Sequence, residues 1–179
     1  GSVADARQCA SACGTARPSV RSSTWVCDLV KIGQAIVWDA SVDPLYSDGF
    51  LRAKVRTDRP DNNPTIGLRA DLATFSAYLF EAETRTTSDP VTNAFRLIKI
   101  EGGVSTVLWR SDPGLFFPNE QWNLELGAVG GTLSIKKWRV GDPEPTMAEI
   151  TVQDPIPLPD GQILLTSDSG SDIPDFADS

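Results

Sequence analysis

From Thr24 onward the chain is interrupted too often to hold long helices. Short runs of alternating apolar and polar residues are separated by gaps of hairpin length, and the gaps are rich in Gly, Pro, Asn and Asp. The candidate strands are Trp25–Val30, Gln34–Asp39, Phe50–Thr57, Thr65–Ala70, Thr74–Glu83, Ala94–Glu101, Ser105–Arg110, Gln121–Val129, Thr132–Val140, Ala148–Val152 and Gln162–Thr166, with a last one near Ile173–Phe176. A parallel pair needs a crossover of about a dozen residues or more. Gaps this short demand antiparallel pairing, so the expected fold is all-β. It is an antiparallel sandwich of jelly-roll type with about eleven to thirteen strands. No fixed-period repeat suggests a propeller.

Several turns are readable. Gly102-Gly103 and Gly130-Gly131 each join two strands, because paired glycines accept the positive φ angles of a tight hairpin. Asp58–Pro64 reads as a polar loop, and Pro143 and Pro145 forbid ladder hydrogen bonds at those positions. Residues 1–23 differ from the rest, being rich in Ala, Ser, Arg and Gly. We read 1–23 as an arm or linker with a short helix across Ala4–Ala12, and 24–179 as the sandwich domain. Gly1-Ser2, without an initiator methionine, reads as the remnant of a protease site.

Alternation assigns faces. Leu51, Ala53 and Val55 face the core, and Phe50, Arg52, Lys54 and Arg56 share the opposite face. Trp122, Leu124, Leu126 and Ala128 point inward, as do Leu133 and Ile135. Leu97 joins this expected core. Lys136 and Trp138 then point outward, unless a bulge at Lys136-Lys137 turns the tryptophan in.

Composition narrows the chemistry. The chain has no histidine, which removes His-based nucleophilic catalysis and His-ligated metals. Its formal net charge of −8 disfavours nonspecific attraction to nucleic acid or an anionic membrane. No apolar run is long enough to span a bilayer. Cys9, Cys13 and Cys27 allow one disulfide with a free thiol, or none, and their pairing stays open. Glu81-Ala82-Glu83 puts two carboxylates on one face, as glycoside cleavage needs, but no third acid follows at Arg85. The pair reads better as a solvated strand end, and no catalytic residue is assigned.

The segment Trp122–Asp154 resembles the C-terminal half of concanavalin A-like, laminin-G-type jelly-roll domains. The residues that carry the resemblance are Trp122, Gly130-Gly131, Trp138, Gly141 and Glu144-Pro145, with Phe95–Gly103 and Thr106–Leu108 upstream and Gly161–Leu165 downstream. The resemblance covers the last half to two-thirds of the chain. It implies a lectin-like sandwich, extracellular or surface-exposed, whose sheet faces or loop edges hold ligands. It also suggests calcium, for which the oxygen-rich stretches are Asp39–Asp48, Asp58–Asn63 and Asp168–Asp178.

Sugar binding calls for aromatic faces with polar groups at their edges. Trp38, Trp109, Trp138 and Tyr78 are the aromatic candidates. Arg52, Lys54 and Arg56 in one row, with Lys136 and Trp138 in another, would form a basic surface bearing an aromatic platform if the rows share a sheet. Such a surface suits an anionic sugar. The expected ligand-binding set is therefore Arg52, Lys54, Arg56, Tyr78, Lys136 and Trp138. The expected function is a non-catalytic glycan-binding or surface-attachment module whose partner is a polysaccharide. The alternative is a structural decoration or fibre domain of a virion or cell surface, working as a homo-oligomer or larger assembly.

Overall fold

The computed structural model describes residues 34–37, 45, 47–56, 63–83, 93–113 and 120–168. The expected strands Trp25–Val30 and Ile173–Phe176, the helix across Ala4–Ala12, and all three cysteines lie outside them. Ten strands occur among the described residues, and no helix. They are β1 (Gln34–Val37), β2 (Gly49–Arg56), β3 (Asn63–Asp71), β4 (Ser76–Glu83), β5 (Ala94–Glu101), β6 (Val104–Arg110), β7 (Gln121–Val129), β8 (Thr132–Arg139), β9 (Ile150–Gln153) and β10 (Gln162–Asp168).

The strands form two antiparallel sheets packed as a sandwich. One sheet has six strands in the order β1-β10-β3-β4-β5-β6, and the other has four in the order β2-β7-β8-β9. Between them lies one core. Leu51, Ala53, Val55, Trp122, Leu124, Leu126, Leu133 and Ile135 from the four-stranded sheet meet Ile66, Leu68, Tyr78, Phe80, Phe95 and Leu97 from the other. The residues that alternation assigned to the core are the buried ones.

β3 differs from the sequence reading at its start and in its course. Pro64 belongs to β3, opposite Ser167, and not to a loop. It is the second residue of its strand, near the end where a missing N–H is tolerated. Farther along, β3 is bulged between Leu68 and Asp71, with Arg69 at φ 53°. A non-glycine residue in that region needs its surroundings to hold it. Arg69 is buried, and it donates to the Ser47 carbonyl at 2.7 Å, the Leu158 carbonyl at 2.8 Å and the Asp48 carboxylate at 3.1 Å. The bulge thus turns a guanidinium inward to tie the β9–β10 connection to the approach of β2.

A second tie holds the same connection. Tyr78 donates its hydroxyl proton to Asp154 at 2.6 Å and accepts from the Leu158 amide at 2.9 Å. Lys99 reaches the same carboxylate at 2.9 Å and the Ile156 carbonyl at 2.7 Å. Burial, followed by the hydrogen bond to a carboxylate, pushes the Tyr78 hydroxyl up to about 12. Burial works against a charge on Asp154, but the bonds from Tyr78, Lys99 and the Ile156 amide outweigh it and hold the carboxyl below its ordinary value.

Candidate functional site

The outer face of the four-stranded sheet gathers most of the expected binding residues. Pairing through β2, β7 and β8 is unbroken, so residues opposite one another share a face. Three rows cross the sheet: Phe50–Gly127–Ser134, Arg52–Glu125–Lys136 and Lys54–Asn123–Trp138. Arg56 opposite Gln121 adds a fourth position. There is no bulge at Lys136-Lys137, so Trp138 faces outward and is half-buried. Lys137 and Arg139 therefore point the other way. They cover aromatic edges of the core, Lys137 5.0 Å from the Phe95 ring centroid and Arg139 5.4 Å from that of Trp122.

The middle row is charge-balanced, which the sequence did not suggest. Arg52 donates from Nε to Glu125 at 2.9 Å, and its Nη2 is a second, closer contact to the same oxygen. It also forms a two-pronged pair with Glu144, at 2.6 and 3.0 Å. Lys136 joins both carboxylates, 3.3 Å from Glu144 and 3.6 Å from Glu125. Four of the five guanidinium N–H groups are thereby used, leaving one. The two bonds from Arg52 come first in holding Glu144 below the usual carboxylate range. For Arg52 burial opposes the charge, but its two carboxylate partners prevail and raise its pKa. The expected basic surface is thus corrected. Two of its four cations are neutralised by two glutamates, and among the described residues Lys54 and Arg56 have no carboxylate partner.

The aromatic positions are also redistributed. The Arg52 guanidinium lies 4.8 Å from the Trp138 ring centroid, so a cation already occupies one face of that ring. Phe50 is 60% exposed and lies over Gly127, where a Cβ would meet its ring carbons at 2.6 Å. Phe50 is the open aromatic surface of this face. Alternation placed it there, but its role depends on Gly127 across the strand pair.

Tyr78 is removed from the binding set. It is 0% exposed, and both functions of its hydroxyl are engaged inside the sandwich. Trp109 packs against the core, and Trp38 lies outside the described residues. Glu81 and Glu83 are buried, not solvated. They sit on the back of the six-stranded sheet, paired with Arg96 at 2.7 and 3.5 Å, and Glu83 also meets Arg110 at 3.1 Å.

Among the described residues no group of three or more carboxylate, thiol or imidazole side chains is placed to hold a metal ion. The oxygen-rich stretches expected for calcium fall mostly outside those residues. Asp48, which does not, binds Arg69 and the Gly130 amide.

No protein-family model matches the sequence, and no curated protein does. Among solved structures the fold resembles that of a carbohydrate-binding module, CBM66, from Bacillus subtilis, with a TM-score of 0.52 and 18% identity. The match covers 67% of this chain and 66% of that one, just under two thirds of the module. At this identity the likeness defines a class by fold alone: a β-sandwich of the kind that carbohydrate-binding modules use.

Proposed function

We propose that the chain is a non-catalytic glycan-binding module of lectin-like sandwich type, acting outside the cell or at a surface. Its ligand would lie on the outer face of the four-stranded sheet. The observation that carries this reading is Phe50, an exposed ring lying over Gly127 beside a set of charged groups paired with one another. A sugar ring places its C–H face on Phe50 while its hydroxyls meet the Ser134 hydroxyl, the remaining Arg52 N–H and the outer lone pairs of Glu125 and Glu144. The four charged side chains brace one another, so little ordering remains to be done on binding. Residue and strand spacings put Phe50 and Trp138 on the order of 17 Å apart, room for several sugar units. A balanced centre suits hydroxyl-rich rings, and an acidic substituent would meet Lys54 and Arg56 at the far edge. The fold shared with a carbohydrate-binding module supports this reading.

The test is affinity electrophoresis against a panel of neutral and acidic polysaccharides, followed by calorimetry on any that retard the protein. Phe50→Ala should weaken binding by at least about tenfold, which is about 1.4 kcal/mol. Because Phe50 is exposed, its melting temperature should stay within about 2 °C of the parent. Trp138→Ala with Lys54→Ala should weaken binding as well. Full affinity in Phe50→Ala would assign the ligand to another surface, and retention by no polysaccharide would end the glycan reading.

A further inference from the structure

Ten Lys and Arg side chains lie among the described residues, and eight of them form ion pairs. The other two, Lys54 and Arg56, have no carboxylate partner among the described residues. They are neighbours on one face of β2, about 7 Å apart along the strand. Both are half-buried. A cation that gives up part of its hydration without gaining a counter-charge is disfavoured, and a like charge beside it disfavours it further. Carboxylates stand nearby but are committed elsewhere. Glu125 and Glu144 hold Arg52 and Lys136, and Glu120 holds Arg139. Asp142, exposed beyond the end of β8, pairs with neither cation. Neutral donors complete the patch. Lys54 lies opposite Asn123, and Arg56 opposite Gln121. Both amides are half-buried, and neither side chain has a hydrogen-bond partner among the described residues. Trp138 flanks Asn123 on β8. Two cations and two amides thus stand within a patch of about 7 by 5 Å, with their N–H donors unspent.

We propose that this patch is an anion subsite, and that the ligand of the four-stranded sheet is an acidic polysaccharide. Its carboxylate or sulfate ester group sits between Lys54 and Arg56, with Asn123 and Gln121 donating to the oxygens the cations leave free. The inference rests on the glycan reading and narrows it to one substrate class. A lone surface lysine is ordinarily just solvated. Here two cations stand side by side, half-buried and unmatched, on a face whose other charges are all matched. The four cations of that face, Arg52, Lys54, Arg56 and Lys136, outnumber Glu125 and Glu144 by two, on a chain of net −8. An acidic polymer is therefore attracted to this edge and disfavoured over most of the remaining surface. The subsite also gives the ligand a direction. Lys54 and Arg56 stand about 13 and 20 Å from Phe50 along β2, so the acidic group and the ring stacked on Phe50 belong to different units of one chain.

Affinity electrophoresis of the whole chain on two matched pairs tests this: polygalacturonate against its methyl ester, and dextran sulfate against dextran. The acidic member of at least one pair should bind at least about tenfold more tightly than its neutral partner, and the pair that responds tells carboxylate from sulfate. Raising salt from about 50 to about 500 mM should erase most of that preference. Lys54→Gln with Arg56→Gln should bring the two members to within about twofold of each other. Its melting temperature should match or exceed the parent's, because two uncompensated like charges are gone. Arg139→Gln removes a cation already paired with Glu120 and should keep the preference. Failure of both acidic probes to retard the protein, while a neutral polysaccharide does, overturns the anion subsite and leaves the glycan reading standing. An acid preference that survives in the double variant, or that falls equally in Arg139→Gln, overturns it as well. A double variant that melts more than about 5 °C lower assigns the two cations to folding instead. Retention by no polysaccharide of any kind ends both readings together.

Discussion

Asp154 is the residue whose removal the fold should feel most clearly. Its side chain is buried where β9 ends and accepts three hydrogen bonds, from Tyr78 at 2.6 Å, Lys99 at 2.9 Å and the Ile156 amide at 3.0 Å. Asp154→Ala deprives each donor of its acceptor. The Tyr78 hydroxyl still accepts from Leu158 but can no longer donate, a loss of about 1 kcal/mol. Lys99 keeps the Ile156 carbonyl and Glu101, so its ammonium is not stranded, and about 1–1.5 kcal/mol is lost there. The Ile156 amide adds about 0.5 kcal/mol. The total is about 3 kcal/mol, at the lower end of what breaking a buried ion pair costs. Urea denaturation should show it as a lower midpoint with an unchanged slope, and the melting temperature should fall by about 6–12 °C. In a double-mutant cycle, Tyr78→Phe and Asp154→Ala should couple by more than about 0.5 kcal/mol. The Asp154 carboxyl is held below its ordinary value in the folded chain, so its contribution is complete above the unfolded pKa, about 3.9. That contribution drains away as pH falls through the lower, folded value. The parent chain should therefore lose stability below about pH 4 more steeply than Asp154→Asn. A loss under 1 kcal/mol in Asp154→Ala, or identical acid limbs for parent and Asp154→Asn, would refute the assignment of this carboxylate as the tie.

Other outcomes follow from the same geometry. Gly127→Ala should cost little stability, because the atoms nearest its Cβ belong to the exposed Phe50 ring and the Ser134 hydroxyl, which can turn away, yet it should reduce polysaccharide retention in electrophoresis by displacing the platform. Gly131→Ala should be far more damaging by thermal melt, since its Cβ would strike the Asp154 backbone carbonyl, which has no room to move. Glu83→Ala should destabilise the chain by about 1–2 kcal/mol in urea, because Arg96 loses its second carboxylate but keeps Glu81, while Arg110 is 45% exposed and water can reach it. Glu144→Gln should weaken glycan binding in calorimetry and leave the melt nearly unchanged, since that carboxylate is exposed.

Hairpin-length gaps and alternation were enough to place the ten described strands and the principal core. A residue two positions along a strand returns to the same face whatever the rest of the fold does. That local rule holds for Leu51, Val55, Leu124 and Ile135, and for the outward set from Phe50 to Arg56. It also put Trp138 outside, because no bulge interrupts β8. Alternation lost its contrast in β4 and β5, where both faces are covered. Tyr78, Glu81 and Glu83 are all buried there although they point to opposite sides. A period of two reports which residues share a face, not how many faces are wet. The charge on the candidate site was likewise beyond the sequence. Arg52 finds Glu125 and Glu144, 73 and 92 residues later, only because β2 pairs with β7 and the chain after β8 folds back over the sheet. The sequence determined which residues share a face along each strand that no bulge interrupts. Tertiary structure alone decided what each one meets, because ion pairing and burial depend on segments that are distant along the chain.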